Sequence, residues 1–126
     1  MSFAIEHIAI ATPDPHQLAD WYVANLGFNF LLDTGSTVYI RAANNVVVEF
    51  VKAETVPMPP AIRDAGLRHI ALSVDDLVTQ SGALKARGIA FESAPIELPG
   101  MRLYFFRDPE GNYLHLVQRD KPLIEV

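Results

Sequence analysis

The alternation of apolar and polar positions along this chain is written twice. "HIAIATPDPHQLADWYVANLGFNF" (7–30) lies over "HIALSVDDLVTQSGALKARGIAF" (69–91), with His7 over His69, Ile8 over Ile70, Ala9 over Ala71 and Gly27 over Gly88. Each copy opens with a period-2 stretch that predicts a strand, about 3–12 and 67–74. A period-3.6 stretch follows in each. Leu18, Trp21, Tyr22 and Leu26 share one helix face, and Leu77, Val78 and Leu84 with Ala83 the other. Asp14 ahead of Pro15 is an N-cap signal, as is Asp75 or Asp76 in the second copy. Gly27 and Gly88 are the matching stops.

Three more strands are expected in each copy: roughly 28–34, 37–42 and 45–52, then 89–94, 101–107 and 112–119. "DTGS", "AANN", "LPG" and "DPEGN" are turn signals between them. The predicted unit is β-α-β-β-β, repeated. One four-stranded sheet and one helix cannot cover both sheet faces, so two such sheets are expected to curl around a shared concave side. The fold class is therefore α+β: two tandem modules in a curved, barrel-like mixed sheet with helices outside. The expected boundaries are a single domain 1–126, with module one at 1–52, a Pro-rich linker at 53–66, module two at 67–120 and a tail at 121–126.

Face assignment brings out the chemistry. In the first strand Phe3, Ile5, His7, Ala9 and Ala11 share a side, and in the fifth Leu67, His69, Ala71 and Ser73 do. Small residues beside each histidine leave room for a ligand, whereas the bulkier aliphatic side suits packing under a helix. The last strand of each copy adds one polar residue to an apolar run. Glu49 sits within "NNVVVEFV" (44–51) and His115 within "NYLHLVQ" (112–118), at a constant offset of 66. A carboxylate among valines needs a cation or good donors. Four such residues, His7, Glu49, His69 and His115, thus fall on two repeat-equivalent positions. His16 is expected to be solvated, and Trp21 and Tyr22 to pack in the core. Arg102 and Tyr104 share a face of the seventh strand, and the hairpin register leaves open whether that face meets a substrate.

Composition narrows the function classes. Half the residues are hydrophobic, and ten scattered Lys and Arg against fifteen Asp and Glu leave a net charge of −5. Nucleic acid is not an expected partner, since phosphate binding needs a concentrated basic face. No apolar run reaches membrane-spanning length. With no cysteine there are no disulfides or thiolate ligands, and no export signal is visible in "MSFAIEHIAI", so a cytoplasmic location is expected. The high apolar content and uncovered sheet edges predict a homodimer.

The duplicated unit, "HIAI…LGF" early, "HIALSVDD" in the middle and "DPEGNYLHL" near the end resemble the vicinal oxygen chelate superfamily, which includes glyoxalase I, extradiol dioxygenases and bleomycin resistance proteins. The resemblance implies that His7, Glu49, His69 and His115 ligate one divalent metal per site. Zn, Ni, Fe and Mn suit such a set, and Zn is favoured by three imidazoles. His115 stands where the family usually has a glutamate. That makes the site more positive by one unit and leaves Glu49 as the only carboxylate for proton transfer. The implied activity is a metal-dependent, glyoxalase-like lyase or isomerase. It would act on a small oxygen-rich substrate through an enolate, with Arg102 and Tyr104 as candidate substrate contacts. An extradiol-type dioxygenase and a non-catalytic drug-binding protein of the bleomycin-resistance type are the alternatives.

Overall fold

A computed structural model describes residues 1–124. The chain divides into two compact units, Met1–Met58 and a second beginning at Pro59. In the first unit, β1 (Ile8–Thr12) leads through α1 (Pro15–Leu26) to β2 (Asn29–Asp33), β3 (Val38–Arg41) and β4 (Val47–Lys52). The second repeats the order with β5 (His69–Ser73), α2 (Leu77–Ala86), β6 (Ile96–Leu98), β7 (Met101–Arg107) and β8 (Tyr113–Arg119). Each unit holds a four-stranded mixed sheet, ordered β1-β4-β3-β2 and β5-β8-β7-β6, in which the first strand runs parallel to the last.

This is the tandem β-α-β-β-β arrangement expected, of class α+β, and among the described residues the strands of each module are hydrogen-bonded into a sheet of their own.

The helices begin and end where local chemistry dictates. The Asp14 carboxylate accepts from the Gln17 N–H at 3.1 Å, Pro15 needs no donor partner, and Gly27 closes α1 at φ 70°. Asp76, rather than Asp75, caps α2 by accepting from Thr79 N–H. At its far end the N–H groups of Gly88 and Ile89 donate to the carbonyls of Lys85 and Leu84, which is a Schellman closure requiring the positive φ of Gly88.

Each helix covers one face of its own sheet. Leu18, Ala19 and Tyr22 of α1 are buried with Val38, Ile40, Val48 and Phe50, and the Tyr22 and Phe50 rings lie 5.3 Å apart. Leu77, Ser81 and Leu84 of α2 are buried in the second unit, as are Tyr104, Phe106, Leu114 and Leu116. Among the described residues, the opposite face of each sheet carries no helix of its own unit.

Two strands differ from expectation. β1 starts at Ile8, and Phe3 and Ile5 ahead of it are exposed, unsupported by any neighbouring strand. β6 occupies 96–98 instead of 89–94, where only Phe91 forms a bridge, to Phe106. The tight Pro99-Gly100 loop pairs Leu98 with Met101 and so fixes the register, and Pro95 has no N–H to extend the ladder upstream.

Candidate metal centre

Strand register brings the singled-out residues together in two pairs. In the first unit the parallel ladder sets Ala9 beside Glu49, and the antiparallel ladder sets Tyr39 opposite it. His7, one residue ahead of β1, falls on the same face. Its Nε2 lies 3.3 Å from Glu49 Oε1, while its Nδ1 lies 3.0 Å from Glu6 Oε1. The Glu49 side chain is 13% exposed and that of His7 33%, so the pair is sheltered yet reachable.

The His7 ring thus lies between two carboxylates, with Nδ1 against Glu6 and Nε2 against Glu49, and the tautomer decides which nitrogen donates. A donor pair sharing one ion at about 2.1 Å each, with an angle between ~90° and ~109°, would sit about 3.0–3.4 Å apart. The observed separation fits that range. A histidine that hands its second ring N–H to a carboxylate is also the usual outer arrangement of a metal ligand.

Tyr39 touches both members of the pair. Its ring meets His7 edge-on at 5.8 Å, and its hydroxyl donates to Glu49. That hydrogen bond, followed by burial and the Glu49 charge, pushes the phenol above the ordinary tyrosine value. Sequence reasoning passed over Tyr39. Its signal was available, because the offset of 66 that joins Glu49 to His115 also joins Tyr39 to Phe105.

The second unit builds the equivalent face from rings. Register puts Ala71 beside His115 and Phe105 opposite it. The His69 and His115 rings lie 4.6 Å apart, and Phe105 meets them edge-on at 5.7 and 4.8 Å. His115 is buried, with Nδ1 3.3 Å from the Leu116 carbonyl, which leaves Nε2 as the free donor atom. Burial, and then the neighbouring His69, hold its pKa below the ordinary histidine value, so the ring is kept neutral as a ligand must be. The aromatic wall continues to Tyr113, whose hydroxyl accepts from Arg107 Nη2 at 2.8 Å.

Among the described residues no three His, Cys, Asp or Glu side chains form a group able to hold a metal; the donors stand as the pairs His7/Glu49 and His69/His115. Arg102 and Tyr104 lie on the helix face of β7, opposite Gln118 and Leu116 and away from His115. Arg102 Nε donates to Glu97 at 2.7 Å, and the buried Tyr104 hydroxyl accepts from Lys85 Nζ at 3.1 Å. The side of β7 left open by the sequence is thus the one that packs against α2. His16 pairs with Asp33 at 2.8 Å on the surface, and the Trp21 ring packs 5.2 Å from Tyr22 on half-buried α1.

Comparison with known proteins matches residues 4–116 to the model of the Glyoxalase/Bleomycin resistance protein/Dioxygenase superfamily. The chain belongs to this superfamily. Its members bind small molecules and commonly use a divalent metal. The chain is 33% identical to the uncharacterized protein YwkD of Bacillus subtilis (strain 168), over 92% of this chain and 97% of that one. Among solved structures of the superfamily fold, the glyoxalase family protein from Enterococcus faecalis is 25% identical with a TM-score of 0.77, covering 91% of this chain and 97% of that one. TnmS3, an antibiotic binding protein from Streptomyces sp. CB03234, is 26% identical with a TM-score of 0.74, covering 94% and 100%. No helix among the described residues is long and apolar enough to cross a membrane.

Proposed function

We propose that the chain is a metal-dependent lyase or isomerase of the glyoxalase-like type, acting on a small oxygen-rich substrate by proton transfer. His7, Glu49, His69 and His115 are its ligand set, one divalent ion is its cofactor, and zinc is the favoured ion for three imidazoles and a carboxylate. A bound ion of this kind supplies Lewis acidity to two neighbouring substrate oxygens. Glu49 takes and returns the proton, since it is the one carboxylate in the set. Ala9, Ala11, Ala71 and Ser73, all exposed beside the histidines, leave the space in which a small substrate fits.

The observation that supports this reading is the His7 Nε2–Glu49 Oε1 contact at 3.3 Å, a separation that two ligands of one ion also have. The test is metal-dependent exchange of solvent deuterium into small α-hydroxycarbonyl or dicarbonyl adducts, followed by nuclear magnetic resonance. Exchange that disappears on chelation and returns with zinc supports the proposal. Oxygen uptake with a catechol-type substrate would move the assignment to the extradiol dioxygenase reading. Tight drug binding without turnover or metal would move it to the sequestration reading that the likeness to TnmS3 raises.

A single-domain cytoplasmic homodimer completes the proposal. Its support is the unpaired edge strand β2, where Phe30, Leu31 and Leu32 are about half exposed. A monomer by light scattering at micromolar concentration rejects the dimer.

A further inference from the structure

Arg102 and Tyr104 point to the α2 side of β7, which leaves Phe105 and Arg107 on the side that carries no helix of this unit. Antiparallel register sets Phe105 opposite His115 and Arg107 opposite Tyr113, and period-2 alternation keeps all four on that side. Rings from three strands stand around the buried His115. Phe105 meets it edge-on at 4.8 Å, His69 lies 4.6 Å from it, and Tyr113 stands 6.5 Å from Phe105. Phe105 and Tyr113 are only half-buried, and the exposed Ala71 and Ser73 of β5 add no bulk beside them.

One cation stands at the rim of these rings. Arg107 Cζ lies 4.5 Å from the Tyr113 ring centroid, and Arg107 Nη2 donates to the Tyr113 hydroxyl at 2.8 Å. Stacked and bonded in this way, the guanidinium is held in place before any ligand arrives. A guanidinium has five N–H donors, and the bond to Tyr113, the only hydrogen bond of Arg107 among the described residues, uses one. Glu92 is the one carboxylate there within ion-pair reach. It lies 3.9 Å away with both side chains about half exposed, so it neutralises little of the charge.

We propose that Phe105, Tyr113 and Arg107 form a recognition site for a small planar aromatic carboxylate, its ring against Phe105 and Tyr113 and its two oxygens on the Arg107 fork. Charge and shape together select this occupant. An aliphatic acid leaves the ring faces unused, and a neutral aromatic leaves the guanidinium without its counter-charge. The site goes beyond the proton-transfer activity proposed above and does not rest on a metal, since every residue in it belongs to the second unit.

The experiment titrates 2-naphthoate by calorimetry into the full chain, stripped of metal and kept in chelator. Its comparators are 2-naphthamide, which keeps the rings and loses the charge, and octanoate, which keeps the charge and loses the rings. Wild type binds 2-naphthoate about tenfold or more tighter than either. Arg107→Met, which keeps an unbranched apolar stem beside Tyr113, weakens 2-naphthoate about ten- to a hundredfold and leaves 2-naphthamide at its wild-type affinity. The unchanged amide separates loss of the fork from loss of structure. Phe105→Leu weakens both naphthyl ligands alike, by about three- to tenfold. No binding of 2-naphthoate, equal binding of acid and amide, or an Arg107→Met variant with wild-type affinity for the acid overturns the inference. Binding of 2-naphthoate only after zinc is restored also overturns it, and places the carboxylate on the metal instead.

Discussion

Nε2 of His7 stands 3.3 Å from Oε1 of Glu49, a separation at which the two atoms can share the imidazole proton or ligate one ion. Replacing the carboxylate by its neutral isostere separates ligation from proton transfer. Glu49→Gln keeps an oxygen at the same place and loses the base. Metal content is expected to be largely retained while turnover falls about 10²- to 10⁴-fold. Metal analysis and rate measurement on the same preparation check both halves. Full activity in Glu49→Gln would reduce Glu49 to a ligand.

The paired rings of the second unit make a parallel prediction. His115→Ala and His69→Ala each remove a nitrogen donor, and each is expected to weaken zinc affinity by more than the ten- to hundredfold typical of losing an outer partner. Competition titration with a chromophoric chelator measures this. Arg102→Ala, on the helix face of β7, is expected to leave affinity at the wild-type value.

Acid stability follows from His115. Burial, then His69, keep its folded pKa below the ordinary 6.5, while the unfolded chain titrates near that value. As pH falls through 6.5 the unfolded chain takes up a proton before the folded one does. The unfolded state then binds more protons, and stability is lost on acidification while being fully present above the ordinary value. Urea midpoints of the metal-free protein are expected to drop across this range, with a shallower drop in His115→Gln. An unchanged slope in that variant would assign the acid sensitivity elsewhere.

The fold of the first unit rests on the packing of α1 against its sheet. Phe50→Ala, at a side chain with no exposure, is expected to cost about 3–5 kcal/mol. Asp14→Ala removes the N-cap bond to Gln17 and is expected to cost about 1 kcal/mol. Denaturant unfolding resolves the two, and a Phe50→Ala effect as small as the cap's would contradict the packing described.

The repeat was the most legible feature, because both helices carry their own signals: Asp14 and Asp76 at the start, Gly27 and Gly88 at the end. The faces of β1, β4, β5 and β8 were readable for the same reason, since period-2 alternation needs no knowledge of partners. β6 was misjudged because its register comes from the Pro99-Gly100 hairpin, and "IAFESA" (89–94) has strand-like composition without a full ladder to join. Arg102 and Tyr104 could not be assigned to a face until β7 was registered against β8. Tyr39 went unnoticed because a tyrosine in a strand is ordinary; its meaning comes from what stands opposite it.

Metal analysis of purified wild type beside His7→Ala and His69→Ala tests the central claim most directly. The proposed ligand set of His7, Glu49, His69 and His115 predicts one zinc-like ion per chain in wild type and its loss in either variant. Wild type free of stoichiometric metal after zinc reconstitution, or an ion retained when one of the two histidines is replaced, would contradict it.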